Sequence, residues 1–367
     1  SILATLGVLD AGRLVLAGLF GLPNELSRVS LQTLLGVLVR VRLDCSVSRC
    51  LRRWFSMVSD GLSRVGFVGV GKIGRPMAMQ LLGAGFELMV FDSDAGALVA
   101  FERTSAAVAG SLAELVSECD IVCLCLPGPV EVEQVVLGEG GIESLIEAGI
   151  KSGMLLVDHT TNSPEVVRLV GDRLAARGAF VIDAPISGGV EGAADGTLTT
   201  LVGGDSEQVL RARPLLEAFS TAVVHVGELG AGTVAKLMNN LACYAMDQVI
   251  GECLTIGVKA GIGADRLLGA LQQAAIGKGG NLHVRLPDTF MKGDFDARFT
   301  LAGAFKDIGL AVELAEEVGV PVRLADSVLG EMETAVSRGL GDRDASIVLT
   351  LQEERAGVEI SSRSSSA

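Results

Sequence analysis

The chain has 367 residues, 30 Lys and Arg against 44 Asp and Glu (net charge −14), 49% hydrophobic residues and a mean hydropathy of +0.48. That length points to about two domains rather than one small module, and the apolar fraction excludes a disordered chain. The negative charge repels nucleic acid phosphates and anionic lipid, so neither is expected as a partner. The 47 glycines and 4% aromatics favour an Ala/Gly/Val/Leu-rich α/β protein over an aromatic-rich β-sandwich. Cysteines 45, 50, 119, 123, 125, 243 and 253 form neither a disulfide framework nor a zinc-spaced cluster. A reducing compartment, and no metal, is the expectation; Cys123 and Cys125 read as core. Histidines 159, 225 and 283 are the only three, which leaves few candidates for a histidine acid or base.

Residues 1–63 are compositionally foreign, with seven Arg, no Lys and four acids. Asp10, Arg13, Glu25 and Arg28 interrupt every apolar stretch before it reaches the ~18 residues of a membrane span. Three readings fit the segment: a reading frame extended upstream of Met57, a transit peptide over 1–56, or an ordered accessory segment. The expected location is cytoplasmic, or the mitochondrial matrix under the transit-peptide reading. In either case residues 1–56 are expected to be dispensable.

From Arg64 the pattern becomes regular. Residues 65–70 read as a strand ending in glycines, 76–82 as a helix, and 87–91 as a second strand ending at Asp92. Further strands are expected at 121–126, 154–157 and 180–182, separated by helices such as 112–117 and 164–177, with later strands at 198–202 and 222–226. Strands alternating with helices imply a Rossmann-type, doubly wound parallel sheet covered on both faces. After Gly232 strand signals stop. Residues 233–250 contain no Gly or Pro and read as one long apolar helix, and the chain stays helix-like to about Leu351. The expected organisation is thus an extension over 1–63, a dinucleotide-binding domain over 64–227, an all-helical substrate and dimerisation domain over 228–355, and a Ser-rich disordered tail over 356–367.

Gly69-Val70-Gly71-Lys72-Ile73-Gly74 is a GxGxxG placed after a strand and before a helix. In a dinucleotide fingerprint the first glycine turns sharply, the second admits pyrophosphate, and the third packs helix on strand with its N-terminus toward the anion. Asp92 stands where a carboxylate accepts ribose hydroxyls and repels a 2′-phosphate. No Lys or Arg lies between Asp92 and Glu102, so NAD is expected over NADP. In Pro185-Ile186-Ser187-Gly188-Gly189, consecutive glycines after a strand expose N–H groups suited to a carboxylate. Lys236 and Asn240 share a face of the long helix, in an apolar stretch where a desolvated lysine can lose its proton near neutral pH; a surface lysine is the alternative reading. Asp183 reads as fixing the turn into the glycine loop, His159 as a packing or supporting residue, and Tyr244 as core.

These motifs in this order, with Leu126-Pro127, Asp158-His159-Thr160-Thr161, Gly192, Gly196-Thr197-Leu198, Gly232 to Asn240 and Phe305-Lys306-Asp307, resemble the β-hydroxyacid dehydrogenase family, which includes 3-hydroxyisobutyrate dehydrogenase and tartronate semialdehyde reductase. The resemblance runs from about Arg64 to about Leu351. It implies an oxidoreductase with Lys236 as catalytic lysine and Asn240 beside it. It also implies Ser187, Gly188 and Gly189 on the substrate carboxylate. Cofactor contacts would come from Gly69, Gly71, Lys72, Ile73, Gly74, Asp92, Leu126, Pro127 and Thr161, with Lys306 closing from the helical domain. The chain departs from the family pattern at Thr160 for Ser, Ile73 for Met, and Glu131 near a frequent Asn. The implied activity is hydride transfer between NAD and a small 3-hydroxy acid or its semialdehyde, in a homodimer or homotetramer. The alternatives are an NADP-linked glyoxylate, succinic semialdehyde or imine reductase of the same fold, or a catalytically silent NAD-binding protein. Imine reductases generally lack the lysine.

Overall fold

The computed structural model describes residues 64–360. The expectations for 1–63 and for 361–367 lie outside the described residues.

The first strand, β1 (Val65–Val68), is buried along its whole length, as are β4 (Ile121–Leu124) and β5 (Leu155–Asp158). Continuous apolar burial is what the centre of a two-sided parallel sheet requires. β2 (Leu88–Phe91), β3 (Ala107–Val108) and β6 (Phe180–Asp183) complete a parallel array in the order β3-β2-β1-β4-β5-β6, the order of a dinucleotide-binding sheet. Helix α1 (Gly74–Gly83) covers one face through Met77, Ala78 and Leu81. The opposite face is covered by α2 (Leu112–Glu118), α3 (Pro129–Leu137) and α4 (Pro164–Ala175), through residues such as Leu115, Val132 and Val170. Cys123 is fully buried in the first of these cores, and burial holds the Cys125 thiol up at about 12, so both behave as core residues.

The parallel expectation fails at one end of the sheet. After β6 come a short β7 (Ile186–Ser187), α5 (Gly189–Asp195) and β8 (Leu198–Gly203), and β8 runs antiparallel to both β6 and β7. The connection from β7 to β8 is too short for a crossover that returns a strand parallel, so the chain doubles back. Helix α6 (Ser206–Phe219) then carries the chain back so that β9 (Ser220–Gly227) runs parallel to β8.

Beyond the sheet the described chain is helical apart from a single bridge between Thr300 and Asp344. Helix α7 (Ala231–Lys259) is 29 residues long, roughly 44 Å at 1.5 Å per residue. It runs past Gly251, where the expected helix stopped, because one internal glycine costs only about 1 kcal/mol. Helices α8 (Leu301–Glu317) and α9 (Arg323–Ala335) pack on each other and on small cores of their own, such as Ile256, Val312, Ala315 and Val322. Residues 357–360 fold back on the final helix, where Val358 N–H donates to the Glu353 carbonyl at 3.1 Å and Ile360 N–H to its carboxylate at 2.6 Å.

Candidate active site

The carboxyl ends of β1, β4, β5 and β6 lie along one sheet edge, so the segments that follow them gather there. Gly69 has φ 90°, and a Cβ on it would collide with the Cys125 carbonyl; a Cβ on Gly74 would collide with the Gly69 carbonyl. Gly71 differs, since nothing stands within 4 Å of where its Cβ would be. Two glycines therefore serve packing, and the third leaves an open approach to the backbone. Ile73 caps α1 with no side-chain hydrogen bond and the first turn has no acid, while Arg75 N–H donates to the Gly71 carbonyl at 3.0 Å and Pro76 has no N–H, so what the helix start offers an anion is chiefly its positive dipole end. This cradle fits a dinucleotide pyrophosphate.

Asp92 is half-buried at the end of β2. One carboxylate oxygen accepts from Val70 N–H at 2.8 Å and the other from Asp94 N–H at 2.9 Å. The acid is thereby locked to the fingerprint turn, with lone pairs left for ribose hydroxyls. Lys72 is exposed beside the cradle and Ile73 packs on the core beneath it. Leu126 N–H donates to Thr160 Oγ1 at 3.1 Å, which shapes the Leu126-Pro127 turn; Thr161, the expected cofactor contact, is exposed next to it.

Under this edge lie two buried titratable groups. Asp158 accepts from Thr160 N–H at 2.9 Å and from Asn162 Nδ2 at 2.8 Å; burial outweighs these bonds and raises it to about 6. His159 stacks on Phe67, meets Phe219 edge-on and bonds through Nδ1 to the Ala184 carbonyl at 2.8 Å, while its Nε2 is buried without a partner. Desolvation lowers it to about 4, so it is neutral and packs, as expected.

In the glycine loop, Ser187 pairs with Thr199 on β8, and Gly188 (φ 130°) and Gly189 (φ 67°) are exposed in conformations that favour glycine. Lys236 sits near the start of α7, half-buried, with its pKa lowered by desolvation and only partly restored by Cys243. Asn240 follows one turn later and accepts a long 3.4 Å bond from Asn239.

Lys306 on α8 is exposed and paired with its neighbour Asp307 at 2.8 Å. Two other residues stand apart from their expected roles. Tyr244 is 67% exposed rather than core, because that face of α7 has no neighbour among the described residues. Asp183 does not fix the loop turn; its carboxylate accepts from Gly230 N–H at 2.8 Å and Thr233 N–H at 2.6 Å, at the head of α7. The signal for that role is a helix start, Gly230-Ala231-Gly232, with no Ser, Thr, Asp or Asn to cap it.

Residues 64–227 match the model of the NAD binding domain of 6-phosphogluconate dehydrogenase, and residues 230–352 that of the NAD-binding domain of NADP-dependent 3-hydroxyisobutyrate dehydrogenase. The 2-(hydroxymethyl)glutarate dehydrogenase of Eubacterium barkeri is 31% identical over 298 residues, 81% of this chain and 97% of that one. The chain belongs to the 3-hydroxyisobutyrate dehydrogenase-like family. It is an NAD(P)-dependent dehydrogenase or reductase. An NAD-dependent L-serine dehydrogenase of Pseudomonas aeruginosa is 33% identical over 302 residues, 81% of this chain and all of that one. Among solved structures, the Mycobacterium tuberculosis 3-hydroxyisobutyrate dehydrogenase with L-serine superposes with TM-score 0.54 at 29% identity, covering 79% of this chain and 99% of that one. An imine reductase from Pseudomonas sp. superposes with TM-score 0.68 at 16% identity over 79% of this chain and 99% of that one, a likeness of fold alone.

Proposed function

We propose that the protein transfers hydride between a nicotinamide cofactor and a small hydroxy acid or its aldehyde, with Lys236 as proton-transfer group. What supports this reading is that the glycine loop 187–189 follows β6 in the chain, while the half-buried Lys236 lies just after the head of α7, which is bonded to Asp183 at the end of β6. The loop N–H groups and Ser187 would hold the substrate carboxylate. Gly71, the head of α1, Asp92, Leu126, Pro127 and Thr161 would hold the dinucleotide, whose nicotinamide would supply the hydride acceptor or donor. Lys236, its pKa lowered by desolvation, would take the hydroxyl proton in oxidation and return one in reduction. Asn240 would hydrogen-bond the same oxygen.

For the cofactor, the Asp92 carboxylate and the absence of Lys or Arg between Asp92 and Glu102 support NAD. The family description of the helical half, which names an NADP-dependent enzyme, supports the second reading: an NADP-linked reductase of a small aldehyde or imine. The test is a turnover screen of 3-hydroxyisobutyrate, L-serine, tartronate semialdehyde, glyoxylate, succinic semialdehyde and a cyclic imine, each with NAD(H) and NADP(H). The first reading expects a hydroxy acid pair with higher kcat/KM on NAD(H). A preference for NADPH with aldehyde or imine establishes the second. Lys236→Ala is expected to lower kcat by ~10² to 10⁴ with cofactor affinity nearly unchanged. Arg should not rescue it, because guanidinium keeps its proton. Wild-type turnover in folded Lys236→Ala protein removes the lysine mechanism.

A further inference from the structure

We infer that Asp183 is a positioning residue for Lys236, an inference that rests on the proton-transfer role proposed for that lysine. Helix α7 begins without a cap of its own. Its N-cap is Gly230, at φ 93°, with no side-chain hydrogen bond, and its first turn contains no acid. The N–H groups of Gly230 and Thr233 are instead taken by the two oxygens of Asp183, at 2.8 and 2.6 Å. The carboxylate is wholly buried. A charge-assisted pair of bonds at the positive end of a long helix is a strong fastening, and here it comes from a strand rather than from the helix.

The surrounding backbone leaves no slack. A Cβ on Gly203 would strike the Asp183 carboxylate and lie 2.7 Å from Gly232 N; a Cβ on Gly232 would lie 2.8 Å from Gly203 N and 2.9 Å from the Asp183 carbonyl. The ends of β6 and β8 and the head of α7 therefore touch through backbone, which only glycine at 203 and 232 permits. Asp183 also stands two residues before the segment 185–189 that would hold the substrate carboxylate. Lys236 lies three residues beyond Thr233, on the turn that Asp183 fastens. One carboxylate thus sets the separation between the substrate loop and the proton-transfer group. Loss of such registration costs up to ~10²-fold in rate when reacting groups shift by about an ångström.

The experiment is a double-mutant cycle on the full chain, measured with NAD(H) or NADP(H) and the substrate pair that the screen identifies. Asp183→Asn keeps the shape, removes the charge and turns one acceptor into a donor facing an N–H. It is expected to lower kcat by ~10 to 10²-fold while cofactor Kd, read by NADH fluorescence, changes by less than about twofold. In a Lys236→Ala background the same substitution is expected to change kcat by less than about twofold, since the group it positions is gone. Asp183→Glu provides a second variant: it keeps the charge but moves the carboxylate by one methylene, which displaces the head of α7 from the end of β6. It should show the same kcat loss and the same dependence on Lys236. Normal kcat in either soluble variant, or a loss of equal size with and without Lys236, overturns the inference. So does failure of both variants to fold, which would make Asp183 a residue of the fold only. An unimpaired Lys236→Ala enzyme, by contrast, would remove the mechanism on which the inference rests, and the cycle shows the two failures separately.

Discussion

Asp158 and His159 are neighbours at the end of β5 with opposite protonation preferences, and their effects on stability nearly cancel. The folded pKa of His159, about 4, lies below its ordinary 6.5. Its contribution is therefore complete above pH 6.5 and is lost as pH falls toward 4, because the unfolded chain binds the proton first. The folded pKa of Asp158, about 6, lies above its ordinary 3.8. Its contribution is present below 3.8 and lost as pH rises through 6. Each shift corresponds to about 3 kcal/mol at 1.36 kcal/mol per unit. Asp158→Asn should therefore make denaturant stability fall more steeply than wild type from pH 7 to 5. His159→Asn, whose amide can replace the bond to Ala184, should make it rise. Equal pH slopes in all three proteins would contradict the assignment. The fingerprint glycines and Asp92 were readable because their geometry is local: a turn, a helix start and one strand end. His159 was readable as packing because it directly follows an apolar strand. Asp183 was not, since its partners lie 47 and 50 residues away across a contact that no spacing rule describes.

Helices and strands long enough to show a period were legible, and short ones that depend on neighbours were not. β1, β4 and β5 are continuous apolar runs, whereas β7 has two residues and exists only because β8 returns beside it. The direction of β8 is likewise a consequence of connection length. The end of α7 was missed for a related reason. Glu252, one residue past Gly251, accepts from Arg323 N–H at 2.8 Å, Leu324 N–H at 3.0 Å and Ala325 N–H at 3.1 Å, capping α9, whose own N-cap Val322 makes no side-chain bond. That tertiary cap rewards continuing α7 through the glycine. The same bonds, chiefly that from Leu324, hold the Glu252 carboxyl below its ordinary 4.5. Its contribution is thus present above that value and lost as pH falls through the folded pKa. Because the side chain is largely solvated, the cap contributes only about 1 kcal/mol. Glu252→Ala should lower Tm at pH 7 by ~2 to 4 °C, with Glu252→Gln in between and the gap to wild type narrowing below pH 4. A Tm unchanged by Glu252→Ala would show that α9 holds its place without the cap.

The division into a sheet half and a helical half was legible in the loss of strand signals after Gly232, but the surface that joins copies depends on what the fold leaves uncovered. The two halves have separate cores, and α7 runs between them. On α7, Met238, Leu241 and Tyr244 are 56%, 65% and 67% exposed, more apolar surface than a soluble monomer ordinarily leaves open. By length and composition this helix could cross a membrane. Its head is fastened into the sheet by Asp183, however, and Lys236, Asp247 and Glu252 lie along it, charges that would be costly in lipid. We propose a second copy as the occupant, since its own α7 would offer the same apolar strip for a self-complementary contact. Light scattering without detergent, at micromolar concentration, is expected to give two or four times the 37.9 kDa chain mass. Combining Leu241→Lys with Tyr244→Asp should shift the protein to monomer. Turnover should fall only by the share of the Lys236 desolvation that a partner adds beside Leu241, five residues away, because the desolvation already present within one chain survives dissociation. A wild-type monomer at that concentration would remove the second-copy reading. Dissociation with turnover unchanged would leave the assembly in place but detach it from the chemistry of Lys236.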